Sequence, residues 1–90
     1  DPVTREQLVT ILYRFVNKYA FNASNKTSLE SFPDCGSVSY YAKEAMRWAV
    51  GNGVIRGVKT DKVEYLCPQN SATRAQVATI FMRFIEDIMK

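Results

Sequence analysis

The 90-residue sequence carries a formal charge of +3 at pH 7 and is 47% hydrophobic, which suits one small domain burying about two thirds of its unfolded surface. It contains no histidine, the commonest general base and metal ligand, so neither catalysis, a metal nor a cofactor is expected. Its cations are scattered rather than gathered into a stripe for nucleic acid, and no apolar run approaches the roughly 18 residues that span a bilayer.

The opening Asp1-Pro2-Val3 has neither the charge nor the apolar core of a signal peptide, so any secretion signal is expected outside this sequence. The first predicted helix starts at Thr4. Leu8, Ile11, Leu12, Phe15, Val16 and Tyr19 form one apolar stripe at helical spacing, and Thr4 with Gln7 has the form of a capping box. Residues 21–31 are polar and aperiodic and read as a surface connector. Within it, Asn22-Ala23-Ser24 and Asn25-Lys26-Thr27 fit the glycosylation acceptor pattern, a match frequent by chance.

A middle helix is expected from about Ser39 to Val50, burying Ala42, Ala45, Met46 and Ala49, with Gly51-Asn52-Gly53 as a left-handed stop. A loop of about fifteen residues follows, ending at Leu66-Cys67-Pro68, and Val54, Ile55, Val58, Val63, Tyr65 and Leu66 give it apolar groups to pack inward. The last helix opens with a second capping box, Thr73 with Gln76, and continues through Val77, Ile80, Phe81, Phe84, Ile85 and Ile88.

The two outer helices share a phrase. Thr4-Arg5-Glu6-Gln7 recurs as Thr73-Arg74-Ala75-Gln76, 69 positions on, and Thr10, Ile11, Arg14 and Phe15 recur as Thr79, Ile80, Arg83 and Phe84 at the same offset. A repeat architecture is therefore expected. Arg5 and Arg74 each stand at the first helical position, where the macrodipole disfavours a cation by about 0.3 to 1 kcal/mol. An anion held by the guanidinium and the free N–H groups of the helix opening would offset that cost; an internal carboxylate such as Asp34 or Glu44 would do the same.

Trp48 suits either the core or a platform for a sugar face. Cys35 and Cys67 lie 32 positions apart without zinc-site spacing. They form either one disulfide, contributing about 3 to 4 kcal/mol through chain entropy, or two unpaired buried thiols.

Ser31-Phe32-Pro33-Asp34, the run Tyr40 to Ala49, Gly53-Val54-Ile55-Arg56-Gly57, Leu66-Cys67-Pro68 and Ala72-Thr73-Arg74-Ala75-Gln76 together resemble one complete S-layer homology repeat, in order and in spacing. Residues 1–20 resemble the closing part of a preceding repeat, 21–31 the connector and 32–90 the complete unit. The resemblance implies an all-α fold of helical repeats with long loops, whose helices pack into a shared bundle. It also implies a non-catalytic module on the bacterial cell surface, anchoring a larger protein to acidic, pyruvylated secondary cell-wall polysaccharide in grooves between repeats.

By that analogy Arg5 and Arg74 engage carboxylate or hydroxyl groups, Trp48 stacks near the sugar, the backbone at Gly57 permits close approach, and Asp34 anchors the start of the repeat. About one and a half repeats cannot close a repeat core alone, since at least three units are usually needed. Association with another copy or with neighbouring repeats is therefore expected, with Leu12, Phe15, Phe81 and Phe84 as contacts. A pure assembly role without sugar binding is the alternative.

Overall fold

Thr4 is extended and caps a helix over Arg5–Lys18 (α1), with both halves of the capping box formed: Thr4 N donates to Gln7 Oε1 at 2.9 Å and Gln7 N to Thr4 Oγ1 at 3.2 Å. The structure is a computed structural model that describes residues 3–19 and 26–87. Residues 21–25 of the connector, both glycosylation triplets in whole or part, and Ile88 lie outside the described residues.

The chain next makes a 3-10 turn at Cys35–Ser37 and a second at Tyr40–Ala42, which runs into α2, Lys43–Gly51. The helix expected from Ser39 is thus tighter in its first turn. Asn52 ends α2, and Gly53 takes the left-handed conformation at φ 71 that the Gly-Asn-Gly stop calls for. The third helix, α3, spans Arg74–Asp87.

Between α2 and α3 the structure corrects the all-α expectation. Val58–Thr60 (β1) and Val63–Tyr65 (β2) pair antiparallel, with Val58 opposite Tyr65, Lys59 opposite Glu64 and Thr60 opposite Val63. The supposed long loop is largely a hairpin. Asp61 and Lys62 turn it with φ 49 and 70, the two positive angles that a type I′ turn demands. Because that turn is usually written Asn-Gly or Asp-Gly, Asp-Lys gives little hairpin signal in the sequence.

The core forms where α1 crosses α2 and α3 leans on both. Leu8, Val9, Leu12 and Val16 of α1 are buried with Ala45, Met46, Trp48 and Ala49 of α2 and with Ile80 and Phe84 of α3. Val54, Ile55 and Leu66 close it from the hairpin side. Trp48 is its largest fully buried side chain, with ring centroids 5.6 Å from Tyr13 and 6.1 Å from Phe84, spacings at which tilted aromatic pairs attract.

Candidate functional site

The opening of α1 is closed by the chain's own backbone. Thr4 bridges to Ser71, Ala72 N donates to Val3 O at 2.8 Å, Arg5 N donates to Asn70 O at 2.9 Å and Glu6 N to Pro68 O at 3.1 Å. The first N–H groups of a helix have no partner within it, and here the segment 68–72 supplies one. Arg5 is only 5% exposed. Its Nε donates to Leu66 O at 3.0 Å and its Nη2 to Arg56 O at 2.7 Å.

Neither carboxylate proposed from sequence takes a hydrogen bond from this guanidinium. Its pKa is lowered, chiefly by burial, against the opposing effects of Cys67 and Asp34, yet arginine remains a cation under such conditions. Asp34 works one step away, accepting Leu66 N at Oδ1 (2.8 Å) and Cys67 N at Oδ2 (2.9 Å). It thereby fixes the Leu66 carbonyl on which Arg5 rests. Glu44 faces outward, 3.0 Å from both Lys26 Nζ and Arg47 Nη1.

Glu6, beside Arg5, is 2% exposed and was not singled out from sequence. Its carboxylate accepts Ser39 N at 2.9 Å, Ser39 Oγ at 2.6 Å and Tyr41 OH at 3.2 Å. Those contacts hold the 3-10 turn that leads into α2. The Tyr41 hydroxyl is pushed up in pKa by desolvation and then by the Glu6 charge.

At α3 the same phrase has a different setting. Thr73 N donates to Gln76 Oε1 at 2.9 Å and Gln76 N to Thr73 Oγ1 at 3.1 Å, so the cap is equivalent. Arg74 and Ala75, however, are exposed, and among the described residues no backbone carbonyl from another segment meets their N–H groups.

One cleft of about 190 Å³ spans both repeat segments. Arg5, Ile55 and Arg56 line one side; Ala75, Gln76, Thr79, Ile80 and Arg83 of α3 line the other. Positions 76, 79, 80 and 83 share one helix face by their spacing. Arg56 is exposed and Arg83 half-buried, and among the described residues neither guanidinium meets a carboxylate. The cleft thus offers two available cations above a small apolar floor, a combination suited to an anionic group on a compact organic ligand. Arg74 does not line it.

Sequence reasoning did not single out Arg56 and Arg83, which line this cleft. The recurrence of Arg14 as Arg83 marked the position, but only the packing of Ile55–Arg56 against α3 gives it a partner.

Two other expected site residues lie elsewhere. Trp48 is 0% exposed, so its ring has no face for a sugar, and the core alternative describes its setting. At Gly57 an added Cβ would come within 2.7 Å of Glu64 Oε2, 3.0 Å of Phe32 Cε1 and 3.2 Å of Tyr65 O. The close approach there is made by the protein's own hairpin and Phe32.

Cys35 and Cys67 are unbonded and half-buried, and Cys67 has a φ of 50, uncommon for a residue with a Cβ. Among the described residues, no group of three or more cysteine, aspartate or glutamate side chains is placed to hold a metal ion. No described helix is long and apolar enough to cross a membrane.

Comparison with known proteins places these features. The chain is 35% identical over 69 residues to the surface-layer 125 kDa protein of Lysinibacillus sphaericus, an alignment covering 77% of this chain but 6% of that protein's length. No solved structure matches the chain. The family model of the S-layer homology domain matches residues 31–78, which includes Asp34, the Glu6-bound turn, α2, the hairpin and the opening of α3. Over half the sequence is thereby accounted for, and the chain belongs to the S-layer homology domain family, a family of cell-surface anchoring modules.

Proposed function

We propose that this chain is part of a non-catalytic anchoring module on the outside of a bacterial cell, binding acidic, pyruvylated secondary cell-wall polysaccharide and tethering a larger surface protein. The observation that carries the reading is the cleft between the two repeat segments, with Arg56 and Arg83 facing it and no carboxylate of the described protein neutralising them. A volume near 190 Å³ suits one sugar unit better than a drug-sized ligand, for which clefts of about 300 Å³ or more are usual. A ketal-linked carboxylate can accept a guanidinium fork in bidentate geometry.

In this reading the residues have separate tasks. Arg56 and Arg83 contact the acid. Arg5 acts behind them, holding the Arg56 and Leu66 carbonyls in place, and Asp34 secures the Leu66 side of that arrangement. Arg74 faces the position that a following repeat would occupy, where it would play the part of Arg5. Residues 1–20 would then close one repeat and residues 32–90 form the next.

Calorimetric titration with native and with depyruvylated wall polysaccharide tests this assignment. Native polymer should bind, depyruvylated polymer should lose at least tenfold in affinity, and Arg56→Gln with Arg83→Gln should reproduce that loss on native polymer. Equal affinity for both polymers would remove the acid-recognition reading.

A second reading, association through the helices, is favoured by the exposed Ile11, Phe81, Met82 and Ile85. Of the contacts expected from sequence, Leu12 and Phe84 are buried within the chain's own core, leaving Phe15 and Phe81 at the surface. Sedimentation velocity across a concentration series distinguishes a concentration-dependent assembly from a monomer.

A further inference from the structure

Two segments run beside each other across the opening of α1, and three contacts set their register. Asp34 accepts Leu66 N and Cys67 N, and Gln69 Nε2 donates to Ser37 O at 2.8 Å. The Asp34–Leu66 and Ser37–Gln69 contacts both join residues 32 positions apart. Cys35 and Cys67 have the same separation and fall between those two contacts.

Both cysteines are half-buried, so each combines fixed surroundings with access from solvent. Cys35 also lines an open cleft with Ser28, Glu30, Lys43 and Arg47. That cleft opens Cys35 to a small-molecule disulfide such as oxidised glutathione.

We infer that Cys35 and Cys67 form a redox latch, whose disulfide locks the 66–70 segment against 34–39 and so holds closed the opening in which Arg5 is seated. The reaction is thiol–disulfide exchange. One protein thiolate attacks a sulfur of the external disulfide, breaking its S–S bond and expelling one thiolate; the second protein thiolate attacks the resulting mixed disulfide and expels the other. The two protein thiols lose two protons and two electrons, and the external disulfide is reduced to two thiols.

The inference does not depend on polysaccharide recognition. A latch should bond these two sulfurs within one chain, and should act on the segment that carries the Leu66 carbonyl.

The test is incubation of the chain with a glutathione redox buffer, acid quench, alkylation and a non-reducing peptide map, together with urea melts of the oxidised and reduced forms. The expected result is a monomer lighter by two hydrogen atoms, a single Cys35–Cys67 peptide pair, and a higher urea midpoint on oxidation that Cys35→Ser abolishes. Stable glutathione adducts on separate cysteines, a disulfide-linked dimer, or an internal bond that leaves the midpoint unchanged would each overturn the latch. Because linkage is read from the unmodified chain, a folding defect in the serine variant cannot decide the outcome.

Discussion

The openings of α1 and α3 carry the same capping phrase in unlike surroundings, and the contrast separates what a local sequence dictates from what packing adds. At both, threonine and glutamine exchange the same two hydrogen bonds. At α1 the arginine and its acidic neighbour are buried under the segments 66–72 and 39–41, whereas at α3 Arg74 and Ala75 are exposed. The cap is local; the task of the arginine is decided by which segment lies across it.

The largest effect should come from substituting the two arginines in turn. Arg5→Ala leaves the Leu66 and Arg56 carbonyls without their donor and opens space beneath them, which should cost about 2 to 4 kcal/mol in urea unfolding. Arg74→Ala should stay within about 0.5 kcal/mol. Similar losses from both would break the contrast.

Next in size is the neighbouring position. Glu6→Ala removes the acceptor for Ser39 and Tyr41 and should cost about 1 to 3 kcal/mol, while Ala75→Glu at the exposed counterpart should change stability by less than about 0.5 kcal/mol. Thermal melts of the two variants compare them directly. The caps should instead behave alike, because Thr4→Ala and Thr73→Ala each lose one side-chain acceptor, for about 1 kcal/mol apiece by denaturant titration.

The smallest effect concerns the surface pair. Glu44 has its pKa lowered, first by its hydrogen bond from Lys26 and then by the charge of that lysine. A carboxylate depressed by folding adds stability above its unfolded pKa and loses it as pH falls through the folded value. The urea midpoints of the parent and Glu44→Gln should therefore differ slightly at neutral pH and converge near pH 2.

What was legible in the sequence follows the same division. The helices α1 and α3, their caps and the stop after α2 are written in nearby residues: Thr4 with Gln7, Thr73 with Gln76, and Gly53. The hairpin was not legible, because Asp61 and Lys62 adopt positive φ angles without the glycine that would announce them. Glu6 was unremarkable too, since its partners Ser39 and Tyr41 are brought to it only by the turn before α2.

The candidate site was half readable for that reason. Repetition directed attention to Arg5 and Arg74, but it could not show that backbone carbonyls occupy the first. Nor could it show that Ile55–Arg56 and one face of α3 make a cleft. Trp48 illustrates a choice that residue type leaves open, core or platform for a sugar face, and the crossing of α1 and α2 buries it completely.

The most direct measurement is hydrogen exchange at the arginine Nε–H groups, resolved by nitrogen-15 NMR and assigned with the single-arginine variants. The Arg5 signal should be strongly protected through its bond to the Leu66 carbonyl, while Arg74 exchanges as freely as a solvent-exposed side chain. Equal exchange at the two positions would contradict the claim that one phrase serves two different physical roles.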